Sequence, residues 1–198
     1  MGKVLDALGQ AGLEQDTCVI YTSDHGEMAG ENGMWWKTNF YEGAVTVPLI
    51  GSHPGRFRPG TRVREVVSLI DVSATLRDIA GTGPMPTSSG RSLVPLLEGR
   101  TTAWPNEALS ELPAIDIGPI PAVRMIRKGT WKLVNFNGMR PQLFNLEQDP
   151  HEFWDLGSAP AYSKIRGELL AKSRQNWSPE ESRKALKYRA RNHALIAK

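Results

Sequence analysis

The hydrophobic positions of this chain switch between two periods. Val4, Leu5 and Leu8 recur on one face of a helix that Gly12 is placed to end. Cys18, Val19, Ile20 and Tyr21 then form a short apolar run of strand formers, stopped abruptly by Thr22-Ser23-Asp24-His25-Gly26. Such a run predicts a buried strand of a parallel sheet. Glu27 to Asn39 is glycine-punctuated and polar except at Met34, Trp35 and Trp36, which predicts a loop. Val45 to Ile50 predicts another strand, and Pro48, lacking a ladder donor, places it near an edge or a bulge. Asp71 is expected to cap a helix with Val72, Leu76, Ile79 and Ala80 on one face and Gly81 at its end.

Glu98 to Pro105 is polar and rich in turn formers, which predicts a subdomain boundary. Short strands follow at Ala108–Leu112, Val123–Arg127, Trp131–Phe136 and Gln142–Leu146, with hairpin turns at Gly129 and at Asn137-Gly138. Ile165, Leu169, Leu170 and Trp177 trace the face of a helix able to cover this small antiparallel sheet. Ser178-Pro179-Glu180-Glu181 starts a last helix, with Ser as cap, Pro in the first turn and Glu closing a capping box. It carries Arg183, Lys184, Lys187, Arg189 and Arg191, with Ala185, Leu186, Tyr188, Leu195 and Ile196 as unstriped apolar surface. The expected division is 1–104 as an α/β part, 105–177 as an antiparallel subdomain with its helix, and 178–198 as a basic tail.

Composition narrows the classes. The 198 residues suffice for a sizeable core, and 40% hydrophobic with 23% charged residues is ordinary for a globular chain. A formal charge of +3 does not argue for nucleic acid. The basic last helix reads as a solvated tail or a homo-oligomer contact. The single Cys18 excludes an intramolecular disulfide and reads as a reduced, buried thiol. No apolar run reaches the length of a membrane span and no signal peptide is visible at Met1, so no membrane partner and a cytoplasmic location are expected.

Open α/β sheets place ligands beyond the carboxyl ends of their strands, where Asp24 and His25 fall. A carboxylate beside an imidazole suits a divalent metal, and the same Asp-His-Gly triplet suits a simple turn with Asp24 capping its own backbone. The longer run resembles the sulfatase family of the alkaline phosphatase-like superfamily. The matching residues are Ser23 to Glu27, Gly30-Glu31, Gly33, Lys37, Tyr41-Glu42-Gly43 and Val47-Pro48-Leu49. Gly90-Arg91-Ser92-Leu93, Pro95-Leu96-Leu97, Lys132-Leu133 and Leu143 to Leu146 with Asp149-Pro150-His151-Glu152 extend the resemblance. Met34-Trp35-Trp36-Lys37 is most similar to the choline-sulfatase branch.

The resemblance implies an α/β fold: part of an alkaline phosphatase-like sandwich with a mostly parallel sheet, plus a small C-terminal antiparallel sheet packed by a helix. It implies a metal-dependent sulfuric ester hydrolase acting on a small sulfate ester, with choline-O-sulfate suggested by the branch and aryl or sugar sulfates left open. Asp24 and His25 would be metal ligands, His25 alternatively contacting substrate oxygens, and Lys37 would neutralise the sulfate. Trp35 and Trp36 would face a quaternary ammonium or form a hydrophobic plug. The ion would be calcium, with magnesium or manganese as alternatives. The family's nucleophile is a formylglycine made from the first residue of a Cys-x-Pro-x-Arg or Ser-x-Pro-x-Arg motif on earlier strands. Cys18, followed by Val19-Ile20-Tyr21-Thr22, is not that residue, so this chain is expected to resemble a C-terminal portion that is inactive alone. Glu42 is expected in a structural salt bridge, and Asp149 and His151 as turn residues. The alternatives are a phosphonate monoester or phosphodiester hydrolase of the same superfamily, or a non-catalytic remnant or assembly module.

Overall fold

In the computed structural model, residues 1–100, 103–113 and 121–196 are described, 189–196 as backbone alone. The side chains of Arg189, Arg191, Leu195 and Ile196, and Thr101-Thr102 within the expected boundary, lie outside the described residues. In chain order the elements are α1 (Gly2–Gln10), β1 (Val19–Thr22), β2 (Met28–Ala29), β3 (Trp35–Trp36), α2 (Glu42–Val45), β4 (Leu49–Ser52), α3 (Leu69–Ile79) and α4 (Val94–Leu97). Next come β5 (Glu107–Leu112), β6 (Val123–Lys128), β7 (Trp131–Phe136), β8 (Gln142–Asn145), α5 (Ser163–Arg174) and α6 (Pro179–Ile196). Among the described residues no helix is long and apolar enough to cross a membrane.

The chain forms two compact units: Met1–Gly26 with Thr46–Asn106, and Glu27–Val45 with Glu107–Lys198. The glycine-punctuated loop thus folds with the antiparallel sheet.

In the first unit, α1 ends where Gly12 adopts φ +67° and the Leu13 amide bonds back to Leu8 O. The parallel pairing predicted for the apolar run is corrected: β1 pairs antiparallel with β4, Val19 opposite Ser52 and Thr22 opposite Leu49. A parallel return needs a crossover, usually a helix, and between β1 and β4 the chain forms only two single helical turns, a 3-10 turn at Glu31–Gly33 and α2. Nor is the strand fully buried: Tyr21 and Ile50 are exposed, and Cys18 is a half-buried free thiol. Burial pushes that thiol upward in pKa, against the lowering effect of Arg56.

The strand predicted over Val45 to Ile50 is also corrected. Val45 closes α2, its amide bonded to Tyr41 O, and the ladder begins only past Pro48. Asp71 is not the N-cap of α3. Ser68 holds that position, and Asp71, at the third helical position, accepts the Ser68 amide at 2.8 Å to close a capping box. The other Asp71 oxygen accepts the Arg91 amide at 2.8 Å, and buried Thr75 Oγ1 accepts the Leu93 amide at 2.8 Å. The Gly90–Leu93 segment is thereby strapped along α3, so closely that a Cβ on Gly90 would lie 2.2 Å from Ile70 O.

In the second unit, β5-β6-β7-β8 form an antiparallel sheet in that order. Gly129 turns the β6–β7 hairpin with φ +55° at the first of its two loop positions, as a type II′ turn requires. The Asn137-Gly138 connection is wider than the tight turn expected there: Met139 N–H reaches Phe136 O, and five residues separate the strands. One face buries Ile126, Leu133 and Leu143 beneath Leu169 of α5, with Ile165 and Leu170 beside them. Trp177 lies past the end of α5 rather than on its face. Buried Asn135 donates to Ser173 Oγ at 3.1 Å, a polar bolt between β7 and α5. Val123, Met125 and Val134 pack with Phe40 from the inserted loop. Ser178 Oγ accepts the Glu181 amide at 3.2 Å and starts α6 as expected.

Candidate active site

The residues singled out from the sequence fall into two groups, one in each unit. In the first, β1 ends at Thr22 and the chain turns through Ser23 to Gly26, with Ser23 Oγ donating to His25 O at 3.1 Å. Asp24 and His25 are brought together: His25 Nε2 lies 3.4 Å from Asp24 Oδ2. The Asp24 side chain is 85% exposed and that of His25 33%. His25 Nδ1 is 2.6 Å from Gly26 O, and a carbonyl can only accept, so Nδ1 carries the hydrogen. Nε2 is the ring nitrogen turned toward the Asp24 carboxylate.

This donor set fits a divalent metal in kind. It does not complete a shell, since calcium takes 6–8 ligands. Among the described residues no group of three or more His, Cys, Asp or Glu side chains converges to hold an ion.

The second group is the loop Glu27–Val45. β2 and β3 pair antiparallel, Met28 opposite Trp36 and Ala29 opposite Trp35. Gly30 (φ +114°) turns the hairpin, and Glu31 accepts the Ala29 amide at 2.6 Å, which holds its carboxyl below the usual glutamate range. Trp35 and Trp36 stand 68% and 74% exposed, and Trp36 has φ +66°. A left-handed backbone at a bulky residue is uncommon and needs surroundings that hold it. Lys37 follows, exposed, with its carbonyl accepting the Asn39 amide at 2.9 Å.

Beneath this loop lies an ion cluster whose members lie far apart along the chain. Lys132, fully buried on β7, donates to Phe40 O at 2.8 Å and lies 2.9 Å from Glu42 Oε1. It also pairs with buried Glu152. Glu152 Oε2 accepts the Glu42 amide at 2.6 Å, and Arg127 reaches Glu42 Oε2 at 2.9 Å. Glu42 is thus in the structural salt bridge expected of it. Burial pushes the Glu152 carboxyl above its usual range, against the pull of Lys132 and the Glu42 amide. Asp149 is a turn residue as read, accepting the Trp154 amide at 2.8 Å, while His151 stacks on Phe153 and accepts the Asn32 side-chain amide at its carbonyl.

The Ser-x-Pro-x-Arg spacing occurs once, as Ser52-His53-Pro54-Gly55-Arg56. It forms the turn leaving β4. Ser52 sits in the ladder opposite Val19, His53 O accepts the Arg56 and Phe57 amides, and Arg56 pairs with Glu98 at 3.1 Å. These contacts make a structural turn of the match.

Comparison with known proteins agrees with the residue-level resemblance. Residues 30–177 match the family model described as N-sulphoglucosamine sulphohydrolase, C-terminal. The choline-sulfatase of Rhizobium meliloti is 39% identical over 163 residues, covering 81% of this chain and 31% of that protein. Arylsulfatase K of Xenopus laevis is 36% identical over 172 residues, covering 81% and 32%. Among solved structures, a phosphonate monoester hydrolase of Agrobacterium radiobacter superposes with TM-score 0.79 at 32% identity, over 88% of this chain and 38% of that one. A 2-O GAG sulfatase superposes with TM-score 0.80 at 27% identity, over 94% and 41%. The chain spans about a third of the length of these curated relatives. It belongs to the sulfatase family of the alkaline phosphatase-like superfamily, matching the C-terminal domain of that family.

Proposed function

We propose that this chain supplies the C-terminal share of a metal-dependent sulfuric ester hydrolase. The observation that carries the reading is the Asp24–His25 pair at 3.4 Å, at the end of a strand and presenting an oxygen and a nitrogen donor. Asp24 and His25 are the residues that would hold a divalent ion, calcium being the ion that the family resemblance implies. When bound, the ion would supply positive charge against the negative charge developing on the transferred group. Lys37 supplies a compact cation for the sulfate oxygens. His25 holds its Nδ1 hydrogen on Gly26 O, which fixes the ring so that Nε2 points toward the Asp24 carboxylate. The formylglycine nucleophile belongs to a part of the enzyme outside these residues.

For the substrate we favour choline-O-sulfate. The exposed faces of Trp35 and Trp36 can receive a quaternary ammonium, a cation–π contact worth roughly 0.5–2 kcal/mol. The likeness to a phosphonate monoester hydrolase favours a second reading, a phosphonate monoester as substrate. Comparing sulfate with phosphonate release by the native gene product separates the two.

The test of the site is Asp24→Asn in the native gene product. Loss of nearly all activity, with retained folding by circular dichroism, is expected. Activity near the unsubstituted level would remove Asp24 from the site.

A further inference from the structure

Lys37 lies in a loop whose two limbs are fastened to the same turn of chain more than a hundred residues later. On the rising limb, Asn32 donates its side-chain amide to His151 O at 3.2 Å, a bond spanning 119 positions. On the descending limb, the Glu42 amide donates to Glu152 Oε2, spanning 110 positions. The two acceptors are consecutive residues. Glu152 reaches its place with φ +57°, a backbone that side chains other than glycine, asparagine and aspartate rarely adopt. Lys132 secures the same limb from below through Phe40 O and Glu42.

We infer that His151 and Glu152 form a two-point clamp that positions the Trp35-Trp36-Lys37 segment, with Lys132 as its base. Stability alone does not require this arrangement. An apolar residue at the Lys132 position could fill the interior, and buried ion pairs contribute little net stability over well-packed apolar replacements. What the clamp adds is place. It fixes residues 32 and 42, and leaves nine residues of chain between two pinned points, with the lysine at the middle. Asn32 itself takes φ +53°, so both ends of its bond to the His151–Glu152 turn involve left-handed backbone at or beside the contact. The functional weight of the clamp rests on the reading of Lys37 as the sulfate lysine.

The test is amide hydrogen exchange on the whole chain, read as the ratio of loop exchange (residues 33–41) to sheet exchange in β6 and β7. Asn32→Gly keeps the left-handed backbone and removes the donor to His151. Glu152→Ala removes the other point, and Glu152→Gln restores an acceptor for the Glu42 amide. We expect the ratio to rise about tenfold in Asn32→Gly and in Glu152→Ala, and by less in Glu152→Gln. A ratio unchanged in both Asn32→Gly and Glu152→Ala, or loop and sheet rising together, overturns the clamp. A separate outcome concerns the underlying reading: Lys37→Ala leaving sulfate release by the native gene product intact would remove Lys37 from the site without bearing on the exchange result.

Discussion

The Lys132 ammonium lies 2.9 Å from Glu42 Oε1 in an interior position that water does not reach. Two cations, Lys132 and Arg127, there face two carboxylates, Glu42 and Glu152. Truncating one member strands the others. Lys132→Ala is expected to destabilise the chain by about 3–5 kcal/mol, as when one partner of a buried ion pair is removed. Urea unfolding measures it, and a loss below about 1 kcal/mol, the range of a surface pair, would mean the cluster is solvated.

Glu152 gives stability a pH dependence of defined sign. Burial raises its carboxyl above the ordinary glutamate value, with Lys132 and the Glu42 amide opposing. Between the ordinary value and the raised one, the folded chain holds a proton that the unfolded chain has released. The contribution of this group is therefore full below the ordinary value and falls as pH rises through the raised one. Glu152→Gln cannot titrate. Urea midpoints taken from about pH 4 to 8 should show this falling component in the unsubstituted chain and not in the variant. Superimposable profiles would contradict it.

Gly90 allows the Gly90–Leu93 strap to lie against α3. A Cβ there would meet Ile70 O at 2.2 Å and the Asp71 amide nitrogen at 3.3 Å, both backbone atoms that cannot swing aside. Gly90→Ala is expected to cost about 1–3 kcal/mol, the usual range for overpacking. Unchanged stability in urea would show that the strap can lift from the helix.

Ser52 is expected to remain a serine. Its backbone is fixed in the β4 ladder and Arg56 of the same spacing is committed to Glu98. Peptide mass analysis of the native gene product should find residue 52 unmodified and unreactive to aldehyde reagents. A loss of two hydrogens at that residue would make it a formylglycine and reverse the assignment of that turn.

The antiparallel sheet was legible because its strands carry their own signals. Trp131–Phe136 and Val123–Lys128 are flanked by Gly129, and their apolar residues match the buried faces. Local signals misled where two rules competed. Val45 and Val47 look like strand residues, yet the Tyr41 carbonyl draws Val45 into a helical turn and Pro48 delays the ladder. At α3 the apolar stripe suggested a start at Asp71, whereas Ser68-x-x-Asp71 already spelled a capping box three residues earlier. At the candidate site Asp24 and His25 are neighbours in sequence, so their proximity was readable. The Lys132–Glu42–Glu152 cluster joins residues about 90 and 110 positions apart, and no local pattern of charge announces such a partnership.

The division of the chain into units has a practical reach for recombination. The path leaves the first unit after Gly26 and returns at Thr46, so a single crossover cannot exchange one unit for that of a relative. A junction placed at Asn106 alone would carry the sheet away and leave its inserted hairpin behind, together with the carboxylate that neutralises Lys132 and Arg127. Functional chimeras between sulfatases should therefore cluster among those that move residues 27–45 and the sheet from one parent, and substitutions at positions 42, 127, 132 and 152 should be inherited as a block.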